Sequence, residues 1–312
     1  MSYHVIDQLP TRLNYIASQL SVSQIDAIAA RGGPLKPLSG GVYEISQAML
    51  MVYREATYAN HASNLGALIA HELAENWSVP AYIVDPVTID DFTDKARISG
   101  VPGIERKSRC HALNIKYCYF KTCNENDIPV KSGRFIVGHF GSGFSIASVV
   151  GGKIIDVNDA LLGMGPFSID RAGALPLAGI LSLIYDRSLS KPDIEKLLSA
   201  ESGLKAYLGT NNFRDIETRY KRGESIVELI VDGMIYQISK EIGSCFAVLN
   251  GSCDGLIITG GLANSSLFIE SLTSSVTFIK NIYVYPESYE SEALASGVLR
   301  VLQGKERAKV YQ

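Results

Sequence analysis

Three stretches of the 312-residue chain carry residue types whose spacing could do chemistry. The first is GHFGSGFSIASVVGGKIIDV, residues 138–157, where Gly141-Ser142-Gly143 interrupts an apolar run. Glycines let backbone N–H groups come close to an anion, and a tight turn between strands makes a concave phosphate nest. The second is Thr259-Gly260-Gly261-Leu262, in which an apolar strand runs through paired glycines into a helical pattern. That geometry aims a helix N-terminus and backbone amides at a nucleotide. The third is Gly165-Pro166-Phe167-Ser168-Ile169-Asp170-Arg171-Ala172-Gly173. An arginine among Gly and Pro is held by its loop, and a fixed guanidinium suits the spread charge of a transferring phosphoryl group. Each has a plain structural alternative: a hairpin turn, a common strand-to-helix connection, and a surface arginine paired with Asp170. None is a Walker A loop or a G-x-G-x-x-G dinucleotide turn.

The elements that must position these residues alternate. Helical spacing covers Leu9–Leu20, and Ile25–Ala30 suits a short buried strand. A loop rich in Gly and Pro leads to a helix over Ala59–Glu75, a strand over Pro80–Val84 ending on Asp85, and a mixed helical stretch over Lys107–Tyr119. This is an α/β layering with a parallel sheet. From Arg134 the style changes. Phe135–Gly138, Phe144–Val150 and Lys153–Val157 form an antiparallel meander whose second turn is Gly151-Gly152, a strong hairpin cue. Helices follow near Leu175–Tyr185, Pro192–Leu198 and Ser225–Leu249. The chain then runs through a strand at Gly255–Thr259, a helix at Ser265–Leu272, a strand at Ile282–Tyr285 and a helix at Glu290–Leu302.

Composition sets the outer bounds. Hydrophobic residues make up 46% and charged residues 20%, enough for a real core, and the length suits two domains. A net charge of −3 gives no basic field for nucleic acid or an anionic membrane, so any anion site must be built locally. There is no signal-peptide pattern at the N-terminus and no apolar run of bilayer length, which points to a cytoplasmic protein. The five cysteines form no C-x-x-C pair and read as free thiols, Cys110 beside His111 included.

In order, these pieces resemble the acetate and butyrate kinase family. The glycine turn and following loop, residues 138–176, look like that family's phosphate-binding hairpin. RGGPLKPLSGGVY (31–43), HASNLGALIAHELAE (61–75), HALN (111–114), LIITGGLA (256–263) and EALASGVLRVLQG (292–304) match in the same order. HALN and RAGALP favour the butyrate branch.

The resemblance implies two actin-like ATPase (ribonuclease H-like) domains around a central cleft. Residues 1–130 plus 291–312 would form the carboxylate side, and 131–290 the nucleotide-binding domain. It also implies ATP-dependent phosphorylation of a short carboxylate to an acyl phosphate, with ATP/ADP and Mg²⁺ as cofactors and a homo-oligomer open. Arg171 matches a catalytic arginine, His111 a histidine that hydrogen-bonds the same phosphoryl oxygens, and Asp85 an aspartate near the carboxylate and metal. Glu292 matches a metal-organising glutamate. Gly141, Ser142 and Gly143 would hold the β- and γ-phosphates, with Gly260 and Gly261 on the adenosine side and His139 also nucleotide-binding. Arg31, His61 and Asn64 would line the substrate cleft.

The departures also raise expectations. Relatives open with a strand, an Asn-Pro-Gly-Ser-Thr-rich turn and two further strands ahead of the helix that here begins near Leu9. The first domain is therefore expected to lack those strands, leaving Ile25–Ala30 and Pro80–Val84 as a narrow pair. Ser142 replaces a family glycine, and Leu162 and Met164 stand where acidic residues are usual. A catalytically impaired nucleotide-binding remnant, or a kinase for branched-chain carboxylates or acetate, stays open beside butyrate kinase.

Overall fold

Gly151 and Gly152 have φ of 58° and 77°, the pair of positive values that a two-residue turn needs to match the twist of its strands. Around that turn, in a computed structural model describing residues 4–22, 24–186 and 189–312, the strands form two sheets. In chain order the strands are β1 (Ile28–Ala30), β2 (Val42–Glu44), β3 (Ala81–Val84), β4 (Arg134–Phe140), β5 (Phe144–Val150), β6 (Lys153–Val157), β7 (Gly255–Thr259), β8 (Ile282–Tyr285) and β9 (Lys309–Val310). The chain divides into two compact units. One holds Met1–Asp91, Ala112–Tyr117 and Tyr289–Gln312; the other holds Phe92–His111 and Cys118–Ser288. Relative to a division near residue 130, the segments Phe92–His111 and Cys118 onward pack with the second unit.

The first unit carries the sheet β1-β3-β2-β9. β1 runs parallel to β3, β2 antiparallel to β3, and β9 parallel to β2. A purely parallel sheet of two strands is thus corrected to a mixed sheet of four. β2 is three residues long, too short to show a period, and β9 arrives from the far end of the chain, so neither pairing is visible locally. The supposed loop between β1 and residue 58 also holds the helix Gln47–Arg54, started by Ser46, whose hydroxyl accepts from the Met49 N–H. The helix expected from Ala59 starts at Asn64. Ahead of it the His61 ring and the Ser63 hydroxyl bond each other at 2.7 Å, and the ring also accepts the Ser63 N–H. Such local bonds compete with a helical backbone. Met49, Leu50, Tyr53, Leu65, Leu68 and Ile83 fill the core. Each buried side chain of this size contributes about 1.5–3 kcal/mol.

The second unit carries the sheet β6-β5-β4-β7-β8. β4, β5 and β6 form the expected antiparallel meander, while β7 and β8 continue the sheet in parallel from β4. β7 is buried along its whole length, as its unbroken Gly-Leu-Ile-Ile-Thr run requires. The helix Ser225–Val248 lays Val231, Met234, Ile238 and Ile242 on this sheet, against Ile136, Ile146 and Leu256. Among the described residues no helix is long and apolar enough to cross a membrane.

Candidate functional site

In the second unit the glycine turn and the Arg171 loop are tied into one body. Ser168 is buried; its hydroxyl donates to the Ser142 carbonyl at 2.5 Å, and its N–H donates to the Arg171 carbonyl at 3.0 Å. The loop is fixed from its other side as the Ser202 N–H reaches the Asp170 carbonyl and the Leu204 N–H the Ser168 carbonyl. Gly165 and Gly173 turn the chain with φ of 113° and 63°.

The Arg171 guanidinium lies across Gly143 so closely that a Cβ there would stand 2.2 Å from Nη1 and 2.4 Å from Cζ. The same Nη1 donates to the Ala160 carbonyl. Nε is buried and has no hydrogen-bond partner among the described residues. Burial lowers the Arg171 pKa from its usual value, with Asp170 and Asp159 acting the other way. Arg171 is therefore no surface arginine spending its charge on Asp170, whose Oδ1 is itself buried without a hydrogen-bond partner among the described residues. A desolvated guanidinium with an unpaired N–H is a strong donor to an anionic oxygen.

His139 and His111 meet beside this turn, with ring centroids 4.0 Å apart and planes 18° from parallel. Burial first, and the neighbouring His111 second, push His139 well below the ordinary histidine value, so it is neutral at physiological pH. Ser145, opposite His139 in the β4–β5 ladder, reaches His111 through its hydroxyl. The helix expected from Lys107 accordingly starts at Ala112. The residues before it bond elsewhere, the His111 N–H to Ser145 and the Arg109 carbonyl to the Ala160 N–H.

Gly260 has φ of 93°, and a Cβ on it would sit 2.6 Å from the Phe140 carbonyl oxygen. Gly261 faces open space. The paired glycines do not run straight into a long helix: a short 3-10 turn, Gly261–Asn264, intervenes, and Ser265 caps the helix Ser266–Ser275. Leu162 and Met164 are exposed.

In the first unit Asp85 directly follows β3 with φ of 39°, a conformation that Asp tolerates better than most side chains. It is buried, and its Oδ1 accepts from Lys116 Nζ at 2.6 Å and from the Gly41 N–H at 2.7 Å. Asp91 accepts the Gly40 N–H, and Lys309 donates to Ser39. Gly40 sits at the centre, where a Cβ would fall 2.3 Å from Lys116 Nζ. Sequence reasoning passed over Lys116 and Lys309. A lysine between Ile115 and Tyr117 in a helical stretch is the available signal for the first; nothing local marks the second.

The remaining candidates are more scattered. Arg31 pairs with Glu290 at 2.9 Å on the surface, and Glu292 lies in the first turn of the same helix, Glu290–Leu302. His61 is exposed, whereas Asn64 is 1% exposed, donating to the Ala59 carbonyl with its Oδ1 pressed on Gly33. Asn64 thus presents no amide to solvent. Among the described residues no three His, Cys, Asp or Glu side chains gather as a metal cage.

This pair of α/β units has the actin-like ATPase fold of the acetate kinases. The structure of Porphyromonas gingivalis acetate kinase superimposes with a TM-score of 0.79 over 97% of this chain and 86% of that one, at 21% identity. An acetate kinase from Entamoeba histolytica also reaches 0.79, at 16% identity over 96% of this chain and 87% of that one. The acetokinase family pattern matches residues 102–299. A probable butyrate kinase 2 of Caldanaerobacter subterraneus is 42% identical, covering 98% of this chain and 88% of that protein. Butyrate kinase 2 of Clostridium acetobutylicum is 41% identical, covering 94% and 82%. The chain belongs to the acetokinase family, whose members are carboxylate phosphotransferases.

Proposed function

We propose that this protein is a cytoplasmic butyrate kinase, transferring the γ-phosphoryl group of ATP to butyrate to give butanoyl phosphate and ADP, and running the reverse reaction to make ATP. The observation that carries the reading is Arg171, packed on Gly143 with a buried Nε that has no hydrogen-bond partner among the described residues. The identity to butyrate kinases over nearly the whole chain supports the choice of acyl group.

A carboxylate oxygen of butyrate attacks the γ-phosphorus. A carbon-borne O–P bond forms, the bridging P–O bond to the β-phosphate breaks, and its electron pair leaves on ADP. Butyrate is already an anion at neutral pH, so no base has to remove a proton. The protein's task is to position groups and offset negative charge. Arg171 donates to the equatorial phosphoryl oxygens, His111 donates to the same group, and the backbone N–H groups of Gly141–Gly143 receive the β- and γ-phosphates. Gly260 and Gly261 border the adenosine side. Arg31 and His61 belong to the carboxylate side.

Mg²⁺ rarely uses an all-protein cage; it keeps waters and takes one or two carboxylates along with nucleotide phosphates. Asp85 fits that limited role, because both of its hydrogen bonds fall on Oδ1 and leave Oδ2 outside them. Glu292, at its helix start, is the second candidate. The ion would neutralise charge between the β- and γ-phosphates.

The test is trapping of acyl phosphate as hydroxamate from ATP, Mg²⁺ and a series of acids. The expected kcat/KM order places butyrate above acetate and above branched acids. No hydroxamate above background from any acid would overturn the assignment, and a preference for acetate or a branched acid would move it within the family.

A further inference from the structure

We propose that Ser145 is a positioning residue that locks His111 in the neutral tautomer protonated on Nε2, making His111 a fixed hydrogen-bond donor to an anionic phosphoryl oxygen rather than a base. This deepens the function proposed above and rests on it for the identity of the acceptor.

The argument is a proton count. Ser145 is fully buried, at 0% exposure. Its Oγ accepts the backbone N–H of His111 at 3.2 Å and lies 2.8 Å from Nδ1 of the same residue. A serine hydroxyl owns one hydrogen. If Nδ1 carried the ring proton, both contacts would be donations into Oγ, and the hydroxyl hydrogen would need a third partner. The Ser145 hydroxyl has no other hydrogen bond among the described residues, and a stranded buried donor costs about 1–3 kcal/mol. With Nδ1 as the acceptor every group is satisfied: the His111 N–H donates to Oγ, and Oγ–H donates to Nδ1. The ring proton is then on Nε2. A difference of even about 1.4 kcal/mol corresponds to tenfold in tautomer population, so this accounting selects one form.

Two further features hold the ring in place. His139 stacks on its face, and His139 and Ser145 are directly opposed partners in the β4–β5 ladder. One cross-strand pair therefore supplies both the face contact and the edge contact to His111. The backbone of His111 is fixed as well, since it is the residue from which the helix Ala112–Glu125 departs. A histidine meant to accept a proton would present a lone pair at Nε2; this one presents N–H. That suits a reaction whose nucleophile needs no deprotonation.

The test is long-range ¹H–¹⁵N spectroscopy on full-length protein labelled in its five histidines, with His111→Asn identifying the His111 signals. The expected spectrum at neutral pH has an unprotonated Nδ1 and a protonated Nε2 at His111. In Ser145→Ala the two tautomers should mix or the proton should move to Nδ1, while Ser145→Thr, which keeps a hydroxyl, should retain the wild-type pattern. In turnover assays Ser145→Ala should lower kcat about tenfold to a hundredfold, with KM for ATP within about twofold. A wild-type ring protonated on Nδ1 overturns the proposal, as does a tautomer unchanged in a folded Ser145→Ala protein. The spectrum needs no activity, so a failed butyrate assay leaves this test standing, and a wrong tautomer leaves the butyrate assignment standing.

Discussion

Arg171 and Gly143 act as one device at the residue scale. The guanidinium is held against a glycine because no side chain fits beneath it. Arg171→Ala should lower kcat by about 10³-fold or more, by comparison with arginines that neutralise a transferring phosphoryl group, while ADP binding measured by calorimetry changes far less. Gly143→Ala should fold normally yet push the guanidinium aside. The expected result is a melting temperature within a few degrees of wild type and kcat reduced roughly tenfold to a hundredfold. Equal activity in that variant would show that the Arg171 position is not critical. Asp85 and Lys116 are a different case, a buried pair at 2.6 Å. Lys116→Met leaves a buried carboxylate without its cation and should destabilise by about 3–5 kcal/mol in urea denaturation. Adding Asp85→Asn to it should recover much of that loss, because asparagine tolerates the positive φ and carries no charge. Both members of this pair were not equally readable beforehand. Asp85 stood out at a strand end, while the value of Lys116 depends on a contact 31 residues away in the chain.

Among elements, the strand-to-turn junction at Gly260-Gly261 would, on the proposed function, separate folding from binding. Gly260 combines positive φ with a backbone oxygen where a side chain would go, whereas Gly261 has open space before it. Gly260→Ala should cost about 2–4 kcal/mol of stability. Gly261→Ala should melt like the parent and weaken Mg-ADP about tenfold by calorimetry, since an added methyl stands where backbone would approach the nucleotide. Elements of this kind were legible when their own residues determined them. The Gly151-Gly152 hairpin, β5, β6 and β7 were read to the residue because a glycine pair or an unbroken apolar run marks both ends. β2, β9 and the helix Gln47–Arg54 were not, for they are short and owe their existence to partners distant in sequence. Helix starts at Asn64 and Ala112 were overestimated because side-chain hydrogen bonds, invisible to periodicity, occupy the residues before them.

For the whole molecule, buried neutral His139 couples stability to pH. Its pKa is depressed in the folded protein relative to about 6.5 in an unfolded chain. The contribution is therefore complete above about pH 6.5 and lost as pH falls below it toward the folded value, where the unfolded chain takes up the proton first. Urea midpoints measured from pH 7.5 to pH 5 should fall more steeply for wild type than for His139→Gln. Identical slopes would mean that His139 is not held neutral by the fold.

The pairing of β9 with β2 has a consequence for how the protein is made. Lys309 and Val310 sit beside Tyr43 and Glu44, so the sheet that carries Asp85 is closed by residues synthesised after the whole of the second unit. The unit spanning Phe92–His111 and Cys118–Ser288 has all its own residues earlier than that. On a translating ribosome, where segments generally fold as they emerge, the middle of the polypeptide can become structured while its first ninety or so residues still wait for a strand. A chain truncated after Ser288 and released from the ribosome should accordingly protect β4, β5 and β7 from protease and leave β2 and β3 open to cleavage. Protection of β2 and β3 in that truncated chain would show that the early segment closes its sheet without β9.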